Sequence, residues 1–238
     1  MGNPELERPG RLRLLRAEDQ GQPFIGWKSS ADGGGSLVNH KGWAALRVIV
    51  QLLREGCYQD AYDQVVLIEN PGAIVACCLN GRIGLVQNFR FVGRRLYEAG
   101  ADYVRSLDEQ GRLDELVDSL GEWQWELPRG LAPHSFDGLD LERFVIATAK
   151  AEALEESGLT IKNARLLGKV NVNTTFFAHP QYAVGADVVS IGDNRPEAME
   201  ILGKTHLFGP AEIRRMADNG ELTDGLTLAT LALVGFHF

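Results

Sequence analysis

Three observations predict a mixed sheet with helices packed on it, an α/β or α+β fold. Runs of β-branched and apolar residues lie on either side of Asn80-Gly81, the strongest two-residue hairpin signal. A helical period runs from about Leu141 to Ser157, with Asp140 placed as N-cap and Gly158 as the residue after the helix. Further strand-like segments follow that helix, and two helical segments close the chain, so strands and helices are interleaved.

Taken in order, RLRLLRAE reads as a short strand, and SSADGGGS (29–36) as a loop that lacks the G-K-[ST] ending of a phosphate loop. WAALRVIVQLLRE (43–55) reads as an amphipathic helix closed by Gly56. QVVLIE (64–69) is a strand stopped by Asn70-Pro71-Gly72. AIVACCL (73–79) and RIGLVQNFRF (82–91) form the hairpin. Residues 93–121 are charged and helical in tone, and read as an insertion. WQWELPRG (123–130) alternates like a strand and breaks at Pro128. LAPHSFDG leads into the long helix. ARLLGKVNVN (164–173) and YAVGADVVSI (182–191) read as strands, IGDNRPEAME as a polar loop, and 210–220 and 223–236 as helices.

The 238 residues are 45% apolar and 24% charged, enough to bury a sizeable core. A net charge of -8 argues against a surface that tracks nucleic-acid phosphates. Cys57, Cys77 and Cys78 make an odd count without C-x-x-C spacing, as expected for reduced thiols in a cytoplasmic protein. The charged N-terminus lacks the apolar core of a signal peptide, and the apolar runs fall far short of the roughly 18 residues a membrane span needs. His40, His134, His179, His206 and His237 show no metal-binding spacing.

The long helix carries Glu152, Glu155 and Glu156 at its C-terminal end, where the macrodipole is negative, and Glu152 and Glu156 are a like-charge i,i+4 pair. At about 100° per residue, Val145, Ile146, Ala149 and Ala153 form one apolar arc, and Phe144, Ala147, Ala151 and Leu154 a second. Arg143, Lys150 and Ser157 fall in one polar gap, which suits solvent. The glutamates fall in the other, which is expected to face a crevice. Crowded, partly desolvated carboxylates either take up protons or bind a cation, and Mg²⁺ favours such hard oxygen ligands. A plain solvated glutamate face is the competing reading.

The surroundings bear on that choice. The segment from Gly130 to Leu159 resembles the Nudix box, G-x5-E-x7-R-E-U-x-E-E-x-G-U, with U a bulky apolar residue. Its second half here is Ala151-Glu152-Ala153-Leu154-Glu155-Glu156-Ser157-Gly158-Leu159. WELPRG resembles the E-x-P-x-G approach to the box in ADP-ribose pyrophosphatase-like members, LVQNFRF their Q-x-R strand, and NGELTDGLTLATLAL their C-terminal helix. The resemblance runs from about Val65 to the C-terminus. Ala151 replaces the box arginine, Ala153 is small for its position, and Gly130 to Ala151 is seven residues longer than the pattern allows. No glutamate stands at the x5 spacing, and Glu142 is one residue out of register.

The resemblance implies an α/β/α sandwich around a mixed sheet over residues 63–238, with insertions at 93–121 and 131–139. It implies an N-terminal extension, 1–62, that serves a homodimer. It implies Mg²⁺ or Mn²⁺ held by Glu152, Glu155 and Glu156 with the carbonyl of Arg129, and Glu155 doubles as a candidate catalytic carboxylate. The general base is sought among Asp193, Glu197 and Glu200, with Glu197 favoured. Arg90 is expected to meet a phosphate or terminal sugar, with Glu126 and Arg129 beside it. Trp123, Trp125 and Phe89 are core aromatics or a stacking surface for a base. The implied activity is hydrolysis of a phosphoanhydride in a nucleoside diphosphate joined to a sugar or similar group, giving a nucleoside monophosphate and a sugar phosphate. The alternative is a degenerate domain that binds or senses such a compound without efficient turnover. Neither nucleic acid nor membrane is an expected partner.

Overall fold

The computed structural model describes residues 10–14, 36–40, 43–90, 100–131, 140–178, 181–196 and 200–236. The chain forms two compact units, 1–71 with 171–180, and 72–170 with 181–238.

The first unit is an antiparallel sheet of β1 (Gly10–Leu14), β2 (Ser36–His40), β3 (Trp43–Arg54) and β4 (Cys57–Glu69). The amphipathic helix expected at 43–55 is therefore wrong: this segment is β3. Val48-Ile49-Val50 favours a strand. Glu55 and Gly56 both have positive φ, 51° and 77°, and form the two-residue turn of a β3–β4 hairpin rather than a helix end. Residues 29–35 of the expected loop lie outside the described residues. Ala45, Arg47, Ile49 and Gln51 are all buried, and Arg47 is ion-paired with buried Asp63. Gln51 donates to Asp60 at 2.6 Å.

The second unit is built on a seven-stranded mixed sheet: β5 (Gly72–Leu79), β6 (Arg82–Arg90), β7 (Glu122–Glu126), β8 (Arg129–Leu131), β9 (Leu159–Val170), β10 (Gln181–Ile191) and β11 (Leu202–Phe208). The path β11-β6-β5-β10-β9 is antiparallel except for β5 and β10, which are parallel. Asn80 and Gly81, with φ 51° and 75°, make the expected tight hairpin. β5 and β6 pair only at that end, from Cys77↔Gly84 to Leu79↔Arg82. Further along they fork, and β7 on β6 and β8 on β5 fill the fork. Pro128 ends β7 as expected, and its carbonyl accepts from Val75 N at 3.0 Å.

Helices cover both faces. α3 (Leu141–Ser157) packs over Ala73, Val75, Cys77, Tyr182, Val184 and Leu159. α4 (Pro210–Asp218) and α5 (Gly225–Leu233), with Leu222 between them, cover Ile74, Ala76, Ile83 and Leu85 through Ile213, Met216 and Leu231. α1 (Ala101–Glu109) and α2 (Leu113–Asp118) lie in the segment read as helical. This is the expected α/β class, a mixed sheet with helices packed on both faces. No helix among the described residues is long and apolar enough to cross a membrane.

Asp140 caps α3, accepting from Glu142 N, and Gly158 ends it at φ 68°. The two-arc reading of this helix needs correction. The first arc meets the sheet, with Val145, Ala149 and Ala153 buried, but Ala147, Ala151 and Leu154 of the second are exposed and only Phe144 is covered. Ser157, expected to face solvent with Arg143 and Lys150, is buried and donates its hydroxyl to Ala153 O. The helix rests on one layer, so Thr148, Glu156 and Ser157 share the buried side with the alanines.

Candidate functional site

The last turn of α3 lies over the β7–β8 bend. Glu156 is only 1% exposed. Its Oε2 accepts from the backbone N–H of Arg129 at 2.8 Å. Burial pushes its carboxyl up to about 7, against the Arg129 N–H, which lowers it; Glu200 and Glu126 add to the rise and Arg90 opposes it. Glu152 is half-buried, and its carboxylate lies on the bare backbone of Gly130, where a Cβ would stand 2.1 Å from Oε1 and 2.5 Å from Oε2. Two carboxylates of one helix therefore converge on consecutive residues of β8. Glu155 is half-buried and its carbonyl accepts from Arg195 N at 2.7 Å.

The helix end that looked electrostatically awkward has its carbonyls satisfied by residues just after β10 and by β11. Asn194 Nδ2 donates to Glu156 O at 3.3 Å, Thr205 Oγ1 to Ser157 O at 2.9 Å and Gly192 N to Gly158 O at 2.8 Å.

A chain of alternating charge runs behind the glutamates. Arg90 forks onto Glu126, with Nε 3.1 and 2.9 Å from its two oxygens. Glu126, 2% exposed, also pairs with Arg129 at 3.2 Å. Arg129 Nη1 reaches both oxygens of Asp224, at 2.9 and 3.0 Å. Asp224 caps α5 by accepting from Thr227 N at 2.8 Å. Burial works against both ends of this chain. Arg129 and Thr227 nonetheless hold the Asp224 carboxyl below its usual range, and Glu126 holds the Arg90 cation above its own.

The structure thus gathers Arg90, Glu126, Arg129, Glu152 and Glu156, and sets Glu200 close enough to Glu156 to influence its charge. Asp193 is exposed on the loop beside Gly158. Glu197, His134, His179 and His237 lie outside the described residues. Trp125 packs edge-on against Phe208 at 4.9 Å as a core aromatic, whereas Trp123 is 48% exposed and meets Phe89 at 5.5 Å. Cys77 is buried, and burial with Cys78 beside it pushes its thiol up to about 12, which leaves no reactive thiolate there. Asp224 escaped the sequence reading; its signal was an Asp-Gly pair at the start of the last helix. Cavities of about 730 Å³ along α4 and about 430 Å³ by the β5–β6 hairpin stand apart from this charge network. The carboxylate corner is singled out by its chemistry rather than by depth.

The donor set suits a hard divalent cation. Among the described residues no three acidic, imidazole or thiol side chains form a closed cage. Mg²⁺ does not require one, since it is commonly held by one or two carboxylates with water and substrate phosphate oxygens. The space a Cβ on Gly130 would fill keeps Glu152 at that corner.

No protein-family description matches the sequence, and no curated protein matches it. Among solved structures, the chain is similar to an ADP compounds hydrolase, with a TM-score of 0.53 and 13% identity over 84% of this chain and 88% of that one. It is also similar to a NUDIX hydrolase from Nitrosomonas europaea, with a TM-score of 0.45 and 16% identity over 71% of this chain and 91% of that one.

Proposed function

We propose that the protein is a metal-dependent phosphoanhydride hydrolase acting on a nucleoside diphosphate joined to a sugar or similar group, with ADP-ribose as the first candidate. The supporting observation is the convergence of Glu152 and Glu156 on the Arg129–Gly130 backbone, at the glutamate spacing that resembles the Nudix box, in a fold similar to that of an ADP compounds hydrolase. Glu152 and Glu156 hold Mg²⁺ or Mn²⁺, with Glu155 and the Arg129 carbonyl beside them. When bound, the cation neutralises diphosphate oxygens and lowers the pKa of a coordinated water. Arg90, kept charged by Glu126, faces the substrate's phosphate or terminal sugar. Glu126 and Arg129 shape the floor on which it sits. Glu155 and Glu197 are the proposed proton-handling carboxylates, and Glu200 competes for the role because it already stands near Glu156. The N-terminal extension, 1–62, is the proposed homodimer element.

A second reading has one observation of its own. Ala151 is exposed where the box arginine is expected, so that arginine's bracing is lost, as in a domain that binds without efficient turnover. Incubation with ADP-ribose and a panel of nucleotide sugars, with Mg²⁺ or Mn²⁺, separates the two. Release of a nucleoside monophosphate that Glu156→Gln abolishes supports the hydrolase. Tight binding without product across the panel supports the sensor, and neither binding nor product overturns both.

A further inference from the structure

Asn88 lies near the C-terminal end of β6, between Gln124 on β7 and Leu202 on β11, and is 3% exposed. Its side-chain Nδ2 has no hydrogen-bond partner among the described residues. Buried amides are normally paired, and one that donates to nothing weakens the fold that contains it.

The strand register fixes where Asn88 points. Successive residues of β6 alternate between faces, so Gly84, Val86, Asn88 and Arg90 share one face. A Cβ on Gly84 would stand 2.6 Å from Leu159 Cδ1, and Leu159 belongs to the layer beneath α3. Asn88 therefore faces the α3 side. Arg90 is opposite Glu122 and Val86 is opposite Glu126, so the Arg90 guanidinium reaches back past the Asn88–Gln124 position to meet Glu126. The idle donor lies on the same face of β6 as Arg90, two residues from it.

We propose that Asn88 is a substrate-binding residue, whose amide N–H donates to an oxygen of the nucleoside diphosphate compound seated against Arg90 and Glu126. The proposal rests on the site reading above. The acceptor is either a non-bridging phosphate oxygen or a sugar hydroxyl. A side chain retained at a cost to the empty protein and used by the ligand has a signature that a structural asparagine lacks: its apolar isostere melts higher without ligand and binds worse.

The test uses the full chain with Mg²⁺ and two probes, ADP and the α,β-methylene analogue of ADP-ribose, which resists cleavage. Melting temperatures with and without each probe, and Kd by calorimetry, are compared for the native protein and Asn88→Leu. The expected result is a higher melting temperature for ligand-free Asn88→Leu and roughly ten- to hundredfold weaker binding. Weaker binding of both probes assigns the contact to the ADP portion they share, and of the analogue alone to the terminal sugar. A lower melting temperature for ligand-free Asn88→Leu, or failure of that variant to fold, overturns the proposal, because the amide then has a structural partner. Unchanged affinity in Asn88→Leu and in the smaller Asn88→Ala overturns it as well. If the native protein binds neither probe, the site reading itself falls and takes this inference with it, a result told apart because it precedes any substitution.

Discussion

Glu156 and Arg129, one at the end of α3 and the other at the start of β8, are joined by a 2.8 Å hydrogen bond from backbone N–H to a carboxylate that is almost wholly buried. That contact ties the end of α3 to β8, and it works against the burial that raises the Glu156 carboxyl.

The pH dependence of stability follows from it. Burial raises Glu156 to about 7 in the folded protein, whereas its unfolded value is near 4.5. Between these values the unfolded chain is ionised and the folded one is not. Stability from this group is therefore full below pH 4.5, falls as pH rises to about 7, and then levels off, by on the order of 3 kcal/mol. Glu156→Gln keeps an acceptor for Arg129 N and cannot ionise. Without metal it should unfold at higher urea than the native protein at pH 8 and at similar urea at pH 4.5. Equal midpoints at pH 8 would show that the carboxylate ionises freely in the fold.

Mn²⁺ should bind more tightly as pH rises through 7, because the cation competes with the proton on Glu156. In weakly buffered solution at pH 6.5, titration with Mn²⁺ should release protons. Glu156→Gln should release none and bind at least about tenfold more weakly.

Gly130→Ala places a methyl group where the Glu152 carboxylate lies. The displaced group is the far end of a flexible side chain, not backbone, so a loss of about 1 kcal/mol is expected. Mn²⁺ affinity should fall about tenfold or more, measured by calorimetry or by the spin-resonance signal of the free ion. Unchanged affinity would remove Glu152 from the ligand set.

Asp224 both caps α5 and pairs with Arg129. Asp224→Ala loses both roles and leaves Arg129 with a weaker partner set, a cost of about 2–4 kcal/mol in urea unfolding. Asp224→Asn keeps the cap and should cost less than the alanine. A ranking in the opposite order would mean that the cap contributes nothing.

Gly158→Ala combines two faults. The residue is left-handed at φ 68°, and a Cβ would stand 2.3 Å from the carbonyl oxygen of Gly192. Both partners are backbone, so neither yields cheaply, and a loss of at least about 2 kcal/mol is expected on urea unfolding.

Local chemistry made parts of this fold legible. Asn80-Gly81 and the Asp140 and Gly158 caps carry their geometry in their own residues, and the structure has each of them. Segment 43–54 lacks that property. Its apolar residues suit a helix face or a strand, and the decision came from β1, β2 and β4 pairing with it. The outer arc of α3 failed for the converse reason, since four apolar side chains cannot report whether a second layer exists to cover them. At the candidate site the three glutamates stood out because helix electrostatics opposes them. Asp224 did not, as its importance lies in Arg129, a partner distant in sequence.

The parallel pairing of β5 with β10 has a consequence for how the chain comes to life. Gly72 lies against Gln181, so the central ladder closes only after everything between them has been synthesised. A ribosome-bound chain that ends before residue 181 presents β5 with a vacant inner edge. The glutamate helix then has half its floor, and nascent chains halted in that window should depend on chaperones until the later strand emerges.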